Sequence, residues 1–556
     1  MPPVRHLLVV SIALILAGLA FQFARPGAIG QVGTWFSVLP VLTAIALAMI
    51  THRLLPSLLI ALVFSGILVN IFIAKDWLAV ATYPFTSIGA VVLDWWSIKV
   101  VLFVTLILMT IALIIVGGGL KGVAIVLERY SKGRQSSQFV TAIMGLIVFI
   151  DDYANTMIVG SSMRPVTDRY RISRERLAFI VDATSAPVAG LAVVSTWIAF
   201  EVGLFEKVSE SLSMGTDGYS MFFDAMQYRY YCFFMLLFVF ITIITRRDFG
   251  PMAQAEQRAM THHQLIAPDA QVMTSPSFEL VEADDSVAPR ASMATIPLVG
   301  LLLVFISGLW ISGGGLAQLD ADPGALFRLA IWKEVMGEAD NSSVLLLSTL
   351  FSFFSALYLV MVKAGLPLTT VKSALKTGLK GSLLPVSILF LAWALKNSFD
   401  DLYLGQFLIA SFGETLSPLW YPIIVFIIAA IVSFGTGTSW GTMSLLIPIS
   451  VPLAFSLDQG AYGLITILTL AAVLDGAIFG DHCSPVSDTT IMSSIACASD
   501  HLHHVRTQLP YALTVAAVAV ACGYLLSALS MSYWLGWLIG SLFFLFLLKI
   551  LGRRAD

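Results

Sequence analysis

Charge is scarce along this chain. Asp, Glu, Lys and Arg make up only 12% of its 556 residues, whereas 58% are apolar and the mean hydropathy is +0.89. Soluble proteins carry about a quarter charged residues, so this composition excludes a water-soluble globular protein. The net charge of -3 leaves no basic surface for nucleic acid, and none is expected as a partner.

Cysteine is scarce as well. The four cysteines, Cys232, Cys483, Cys497 and Cys522, lie in or beside apolar runs without a paired spacing. Such a pattern indicates reduced thiols in the interior and excludes a disulfide framework. A nucleophile, a base and an orienting group do not occur at a usable spacing, so we expect neither an enzyme nor a cofactor.

Long apolar runs are abundant instead. Many reach about 18 residues or more, enough to cross a membrane as a helix. They predict an all-α polytopic membrane protein with about 11 to 14 transmembrane or re-entrant helices. The first run, 4–23, follows Arg5 and His6 and is interpreted as a membrane helix rather than a cleaved signal peptide. We therefore expect the protein in the lipid bilayer of a bacterial cytoplasmic (inner) membrane.

One hydrophilic stretch, 246–293, interrupts the apolar runs. Its prolines and scattered charges are typical of a flexible cytoplasmic linker. It separates an N-terminal membrane repeat, 1–245, from a C-terminal membrane repeat, 294–556. The acid-rich segments 201–227 and 313–341 are expected on the outer side of the membrane.

Two basic loops predict a hairpin in the first half. Segments 119–136 and 164–176 are rich in Lys and Arg, which places both in the cytoplasm by the positive-inside rule. The apolar segment 137–163 between them must then enter and leave the membrane on the same side. A helical hairpin or a broken helix pair has this property.

An internal similarity supports two related halves. Five identities occur at an offset of 332, and they pair Ser161, Ser162, Asp168, Arg174 and Leu177 with Ser493, Ser494, Asp500, Arg506 and Leu509. Transporters are often built from two inverted repeats whose broken helices or hairpins meet at the bilayer midplane. Inversion of these segments predicts that 500–508 and the C-terminus lie outside.

Three polar clusters interrupt apolar segments. Their sequences are FIDDYANTM, SFGTGTSWGT and LDGAIFGDHCSPVSDTT, and each puts carboxylates or hydroxyls at membrane depth, where burial is costly. Glycine and proline within the second and third clusters favour broken helices, whose freed carbonyls can bind a cation. The candidate ion- or substrate-binding residues are Asp151, Asp152, Asn155, Thr156, Thr436, Thr438, Ser439, Asp475, Asp481, His482, Ser484, Ser487, Asp488 and Thr489.

The candidate Na+ ligands among them are Asp152, Asp481 and Asp488. A buried carboxylate binds either a proton or a metal cation, because each neutralises the same charge. Mutually exclusive occupancy by Na+ and H+ is the simplest form of antiport. Asp481, His482 and Cys483 are adjacent, and a regular helix would direct them apart, which argues against a zinc site.

Basic side chains bear on the choice of cargo. The histidines of the HLHH segment, 501–504, are expected in a solvated loop. The basic residues that the sequence places within the membrane are Lys99, Lys396 and His482. A carboxylate substrate needs a cation or a helix N-terminus to receive it, so this shortage favours a bare cation as cargo.

The clusters resemble a known family. FIDDYANTMIVGSSMRPVTDRYRISRERLAFIVDATSAPVAG, FGTGTSWGT, GDHCSPVSDTTIMSS and HVRTQLPYA are similar to the hallmark segments of the NhaC family of Na+/H+ antiporters. The resemblance implies membership of the ion transporter superfamily, with inverted repeats and helical hairpins. That family also includes exchangers of organic acids, such as malate for lactate, and of amino acids.

These observations predict a secondary active transporter that exchanges Na+ for H+ by alternating access. A Na+- or H+-coupled exchanger of a small organic acid or amino acid on the same fold is the alternative, and an ion channel is a more distant one. Na+, H+ and lipid are the expected partners. Formation of a homodimer is left as an open alternative.

Overall fold

The computed structural model describes residues 34–51, 53–70, 77–272, 287–328, 331, 335, 338–412, 415–485 and 487–554. The predicted first helix, 4–23, lies outside this set. Regular structure within the described ranges is helical, apart from isolated β-bridges between Asp248 and Arg553 and between Val272 and Asp500.

The described residues of the first half contain thirteen α-helices. They are α1 (Leu39–Thr51), α2 (Leu54–Leu68), α3 (Trp77–Val92), α4 (Trp95–Val116), α5 (Gly119–Glu128), α6 (Arg134–Ile147), α7 (Asp152–Arg169), α8 (Arg174–Ala183), α9 (Ala186–Ala189), α10 (Thr196–Leu212), α11 (Gly218–Met226), α12 (Tyr230–Thr245) and α13 (Gly250–Thr261).

Besides the four-residue helix Leu525–Ala528, the second half contains eleven α-helices in its described residues. They are α14 (Ser292–Ser312), α15 (Gly315–Ala321), α16 (Asn341–Tyr358), α17 (Leu368–Asp401), α18 (Leu404–Phe412), α19 (Tyr421–Thr436), α20 (Ser439–Leu457), α21 (Leu464–Cys483), α22 (Asp488–Ala496), α23 (His501–Val518) and α24 (Tyr533–Ile550). A π-helical stretch, Ala519–Tyr524, prolongs α23.

The described helices suit a membrane. Eight of them, some prolonged by the stretches that follow, are long and apolar enough to cross one, and α11 with α12, bent by 45°, makes up a ninth crossing if counted as one span. Four shorter apolar helices accompany them. Their large exposed side chains are mostly Leu, Ile and Phe, as expected for surfaces that face lipid. The predicted multi-pass helical membrane fold is confirmed.

Helices α6 and α7 form a hairpin, as predicted for 137–163. The Tyr170 hydroxyl donates to the Ser131 carbonyl at 3.1 Å, and Arg134 Nη1 donates to the Arg171 carbonyl at 2.8 Å. The start of α6 therefore lies beside the end of α7. The chain reverses at the tip, residues 148–151, deep in the structure.

Helices α19 and α20 form a second hairpin, which enters from the other side. The Tyr421 hydroxyl donates to the Ser450 carbonyl at 2.9 Å, and the chain turns at Gly437, whose φ of 69° favours glycine. Tyr462, beyond the end of α20, lies near Asp224 of α11, at the end of the molecule away from residues 246–272. Two hairpins that enter from opposite sides are the arrangement that inverted repeats require.

The segments related by the offset of 332 are not themselves inverted. Arg174 Nη1 donates to the carbonyls of Cys497 and Ala498 at 3.0 and 3.2 Å, so the ends of α7 and α22 share one side. Asp248 and Arg553 exchange backbone hydrogen bonds of 3.0 and 2.8 Å. The prediction that 500–508 and the C-terminus lie outside is therefore wrong, because α7 and α22 pack in parallel and end together at what we call the linker side.

The first part of the predicted flexible linker is folded. Helix α13 docks on the linker side through buried Glu256, which accepts from the Ser173 N–H at 2.9 Å and pairs with Arg134. Arg258 pairs with Glu175 at 2.8 Å. Helix α13 is ordered because each buried carboxylate replaces its hydrogen bonds to water with specific hydrogen bonds to protein groups. Residues 273–286 lie outside the described set.

Glu256→Ala is expected to release α13, because Arg134 and the Ser173 N–H then lose their acceptor, a cost of about 1–3 kcal/mol. Trypsin should cut the purified protein after Arg258 faster than in the wild type. Gln257→Ala, on the exposed face of the same helix, serves as the control. Equal cleavage rates in both variants would show that Glu256 does not hold the helix.

Candidate functional site

Four helices begin at one place inside the protein. They are α7, α10, α20 and α22, whose first residues follow the N-caps Asp151, Ser195, Thr438 and Ser487. Each cap side chain accepts a backbone N–H of its own helix. A helix N-terminus carries partial positive charge, so the convergence of four favours negative charge at this point.

The tip of the first hairpin supplies two carboxylates. Asp151 accepts from the Ala154 N–H at 2.9 Å and from the Thr196 hydroxyl at 3.1 Å, and so ties α7 to α10. Asp152 is the first residue of α7 and is only 3% exposed. It lies close enough to Asp151, Asp481 and Asp488 to be repelled by all three if they are ionised.

Asn155 sits where several carbonyls converge. Its Nδ2 lies 2.7, 2.9 and 2.9 Å from the carbonyl oxygens of Gly145, Val148 and Thr184. An amide has only two hydrogens, so the carbonyls outnumber the donors available. Asn155 Oδ1 and Thr156 Oγ1 are buried and lack a hydrogen-bond partner. The hairpin tip is therefore rich in hydrogen-bond acceptor oxygens and poor in hydrogen-bond donors.

The second half supplies two more carboxylates. Asp481, near the end of α21, is 3% exposed and accepts from the Ser439 hydroxyl at 2.7 Å, while its Oδ1 lacks a partner. Asp488 is the first residue of α22 and accepts from the hydroxyl of Tyr153 on α7. This bond joins the two halves directly. Tyr153 is 37% exposed and marks the accessible edge of the group.

Small residues allow these helices to approach. A Cβ on Gly160 of α7 would lie 2.7 Å from the Ala496 side chain of α22. A Cβ on Gly480 of α21 would lie 2.3 Å from the Ala430 carbonyl of α19. The close packing of α7 on α22 and of α19 on α21 brings the four carboxylates together.

The predicted hydroxyl residues mostly hold the broken helices. Ser484 donates to the Phe434 carbonyl at 2.7 Å, Ser487 lies 2.9 Å from the Thr489 hydroxyl, and the Thr436 hydroxyl donates to the Ser433 carbonyl at 3.4 Å. Thr438 caps α20. The unwinding predicted for the glycine-rich segment is confined to Gly437 and Thr438, since α19 and α20 continue on either side.

Two predicted residues belong to neighbouring clusters. Asp475 accepts from Arg229 Nε at 2.9 Å, from the Tyr231 N–H at 2.7 Å and from the Tyr524 hydroxyl at 2.8 Å, which leaves it away from the four carboxylates. His482 Nδ1 lies 2.8 Å from the Tyr231 hydroxyl. The adjacent side chains of Asp481 and His482 thus point in different directions, as the geometry of a helix requires.

Sequence reasoning missed a buried polar cluster around Asp182. This residue accepts from Gln508 Nε2 at 2.6 Å and from Ser493 at 3.2 Å, and lies 3.3 Å from His504 Nε2. His504 is fully buried, so the prediction of a solvated loop is wrong for it. The helical spacing of His504 and Gln508, four residues apart, is the signal that could have shown it.

Two buried basic residues were also not indicated by the sequence. Arg176 and Arg229 are fully buried, at 0% and 1% exposure. Lys99 instead pairs with Asp340 at 3.6 Å, and Lys396 pairs with Asp400 at 2.6 Å, both away from the carboxylates. The cost of burying the two arginines is offset by acidic partners that lie far away in the sequence. Sequence alone does not reveal these partners.

The arrangement suits an oxygen-liganded monovalent ion. Within the part of the chain that the structure describes, no three His, Cys, Asp or Glu residues are close enough together to hold a metal ion. An ion bound here would take one or two carboxylates and complete its shell with hydroxyls and carbonyls. Hard cations such as Na+ accept such ligands.

Several known proteins are similar to this chain. A model of the Na+/H+ antiporter family matches residues 188–529. An uncharacterized protein of Haemophilus influenzae is 29% identical over 500 residues, 88% of this chain and 90% of that protein. The malate-2H+/Na+-lactate antiporter of Bacillus subtilis is 31% identical over 163 residues, 29% of this chain and 34% of that protein.

A solved structure shares the fold. The YdaH transporter of Alcanivorax borkumensis aligns over 91% of this chain and 99% of its own, with a TM-score of 0.55 and 15% identity. Fold and site thus define a multi-pass secondary transporter of a bacterial membrane. The chain belongs to the Na+/H+ antiporter family, as its motifs predicted.

Gly145→Ala is expected to disturb the hairpin tip, because a Cβ there would lie 2.1 Å from Thr184 Oγ1 and displace the carbonyl that faces Asn155. Overpacking of this kind costs about 1–3 kcal/mol. The melting temperature in detergent should fall, and Na+-dependent transport with it. Gly89→Ala, which has open space, should change neither; an unaffected Gly145→Ala would contradict the packing.

Proposed function

We propose that the protein exchanges Na+ for H+ by letting the two ions compete for the four carboxylates at the hairpin tips. Asp152, Asp481 and Asp488 provide the charge, and hydroxyl and carbonyl oxygens complete the ion's shell. No resident cofactor takes part. A homodimer stays a prediction.

The observation that carries this proposal is the pair of orphaned oxygens. Asp481 Oδ1 is buried without a donor in a group of carboxylates that repel one another, and Asn155 Oδ1 is buried without a donor one helical turn along α7 from Asp151. Burial without compensation is costly, so a cation or protons must neutralise part of this charge. Binding of Na+ then expels a proton, and binding of protons expels Na+.

Alternating access has a structural basis in the hairpins. The tip of α6–α7 reaches the site from the linker side and the tip of α19–α20 reaches it from the opposite side. Small movements of one hairpin and then of the other would open the site to each side in turn. A channel is not favoured, because the carboxylates are buried between packed helices.

An organic anion is the second candidate cargo. Four helix N-termini meet at the site, and such ends can receive a substrate carboxylate. The Bacillus subtilis relative is named as an exchanger of malate and lactate. Against this cargo, buried Arg229 is already held by Glu201 and Asp475 and is not free to receive an anion.

Asp152→Asn and Asp488→Asn are each expected to reduce exchange about 10-fold or more, since a lost carboxylate removes both a Na+ ligand and a proton acceptor. Sodium-induced dequenching of a pH dye in proteoliposomes measures this. Asp269→Asn, at a well-exposed residue of the 246–272 segment, is the control. Full activity in both site variants would remove these residues from the mechanism.

A counterflow assay distinguishes Na+ from an organic anion as the cargo. Proteoliposomes loaded with Na+ should take up labelled Na+, and external malate, lactate or arginine should not reduce that uptake. Inhibition by a carboxylate, or its own accumulation against a gradient, would establish the organic-anion alternative instead.

A further inference from the structure

A second acidic group lies buried beside the ion site. Glu201 of α10, Asp475 of α21 and Arg229, at the bend between α11 and α12, have 0 to 1% of their side chains exposed. Arg229 Nε donates to Asp475 at 2.9 Å, and Arg229 Nη1 donates to Glu201 Oε2 at 3.3 Å. The sequence placed Glu201 in an outer loop, 201–227, whereas in the structure it is a buried residue of helix α10.

The two carboxylates are unequally satisfied. Asp475 receives three donors, from Arg229, the Tyr231 N–H and the Tyr524 hydroxyl. Glu201 receives only the longer bond from Arg229, and its Oε1 is buried without a partner. Arg229 Nη1 also donates to the Gly190 carbonyl at 3.1 Å, which draws it further from Glu201.

One guanidinium cannot neutralise two carboxylates. With both acids ionised the group carries a net negative charge at membrane depth, which is costly. Arg229 and Asp475 are the charged groups that act on Glu201, and Cys232 and Tyr524 complete the surroundings on the far side of Arg229. The carboxylate that holds the guanidinium less firmly is the one to carry a proton, and that residue is Glu201.

The group shares two helices with the ion site. Asp475 precedes Asp481 by six residues on α21, about 9 Å along the helix. Glu201 follows Thr196, which contacts Asp151, by five residues on α10, about 8 Å. Both steps lead away from the linker side. A shift of α21 against α10 therefore changes the ion site and the Arg229 contacts at the same time.

We propose that Glu201 is a second proton-binding site, which holds a proton while Arg229 pairs with Asp475 and releases it when the guanidinium moves to Glu201, leaving the Tyr231 N–H and the Tyr524 hydroxyl to stabilise the Asp475 carboxylate. The inference rests on the proposed exchange of Na+ for H+ and deepens it. One proton competes with Na+ at the four carboxylates, and another is bound and released as α21 moves. The exchange then carries more than one proton for each Na+.

The coupling ratio tests this directly. In proteoliposomes the reversal potential gives the number of protons exchanged per Na+. Glu201→Gln keeps the size and the acceptor oxygen but cannot titrate, and should lower the ratio by one proton. Glu210→Gln, exposed on the same helix, should leave it unchanged. A ratio that is the same in Glu201→Gln and wild type would overturn the proposal.

A spectroscopic measurement covers the case in which Glu201→Gln fails to transport. Isotope-labelled glutamate shifts the infrared carbonyl band of a protonated glutamate away from the bands of the aspartates. The purified wild-type chain and Glu210→Gln should show this band and change it when Na+ replaces choline, whereas Glu201→Gln should lack it. Absence of the band in wild type, or a band that Na+ does not alter, would contradict the proposal. Because no transport is needed, this result is separate from failure of the Asp152 and Asp488 variants.

Discussion

The structure depends on one constraint: a carboxylate removed from water into a nonpolar slab must find compensating positive charge or donors. Each buried acid meets this constraint differently. Asp475 has three donors, Asp182 has Gln508, Ser493 and His504, and Glu256 has Arg134 and a backbone N–H. The carboxylates at the hairpin tips face one another instead. This deficit is the reason why we propose the hairpin tips as the Na+ site.

Helix ends supply part of the compensation. Asp152 and Asp488 are first residues of parallel helices, α7 and α22, whose N-termini both point at the site. Partial positive charge at these ends stabilises an anion without fixing a full counter-charge. In the proposed exchange, neither Na+ nor H+ then has to displace a resident arginine or lysine. Arg229, a cation that contacts a helix of the site, is already paired with Glu201 and Asp475.

In the proposed mechanism, Arg229 with Glu201 and Asp475 couples a change in protonation to a movement of helices. Packed helices have discrete arrangements rather than a continuous range, so a guanidinium between two carboxylates favours one or the other. Asp475 and Asp481 lie on one rigid helix, and Glu201 and Thr196 lie on another. Rearrangement at the ion site is thus communicated to a proton position without any contact between the two ions.

The sequence by itself determined the membrane class, the hairpin at 137–163, the three polar clusters and the family, because composition, apolar run length and local motifs are properties of neighbouring residues. Asp152, Asp481 and Asp488 were predicted as ligands in this way, since a carboxylate inside an apolar run is visible locally. Only the tertiary structure decided which acids lack partners. Asp475 proved to be paired, His504 and Glu201 proved to be buried, and α7 and α22 proved to be parallel. Most of these outcomes depend on contacts between residues far apart in the sequence, such as Arg229 with Asp475 and His504 with Asp182, and no local pattern records such contacts.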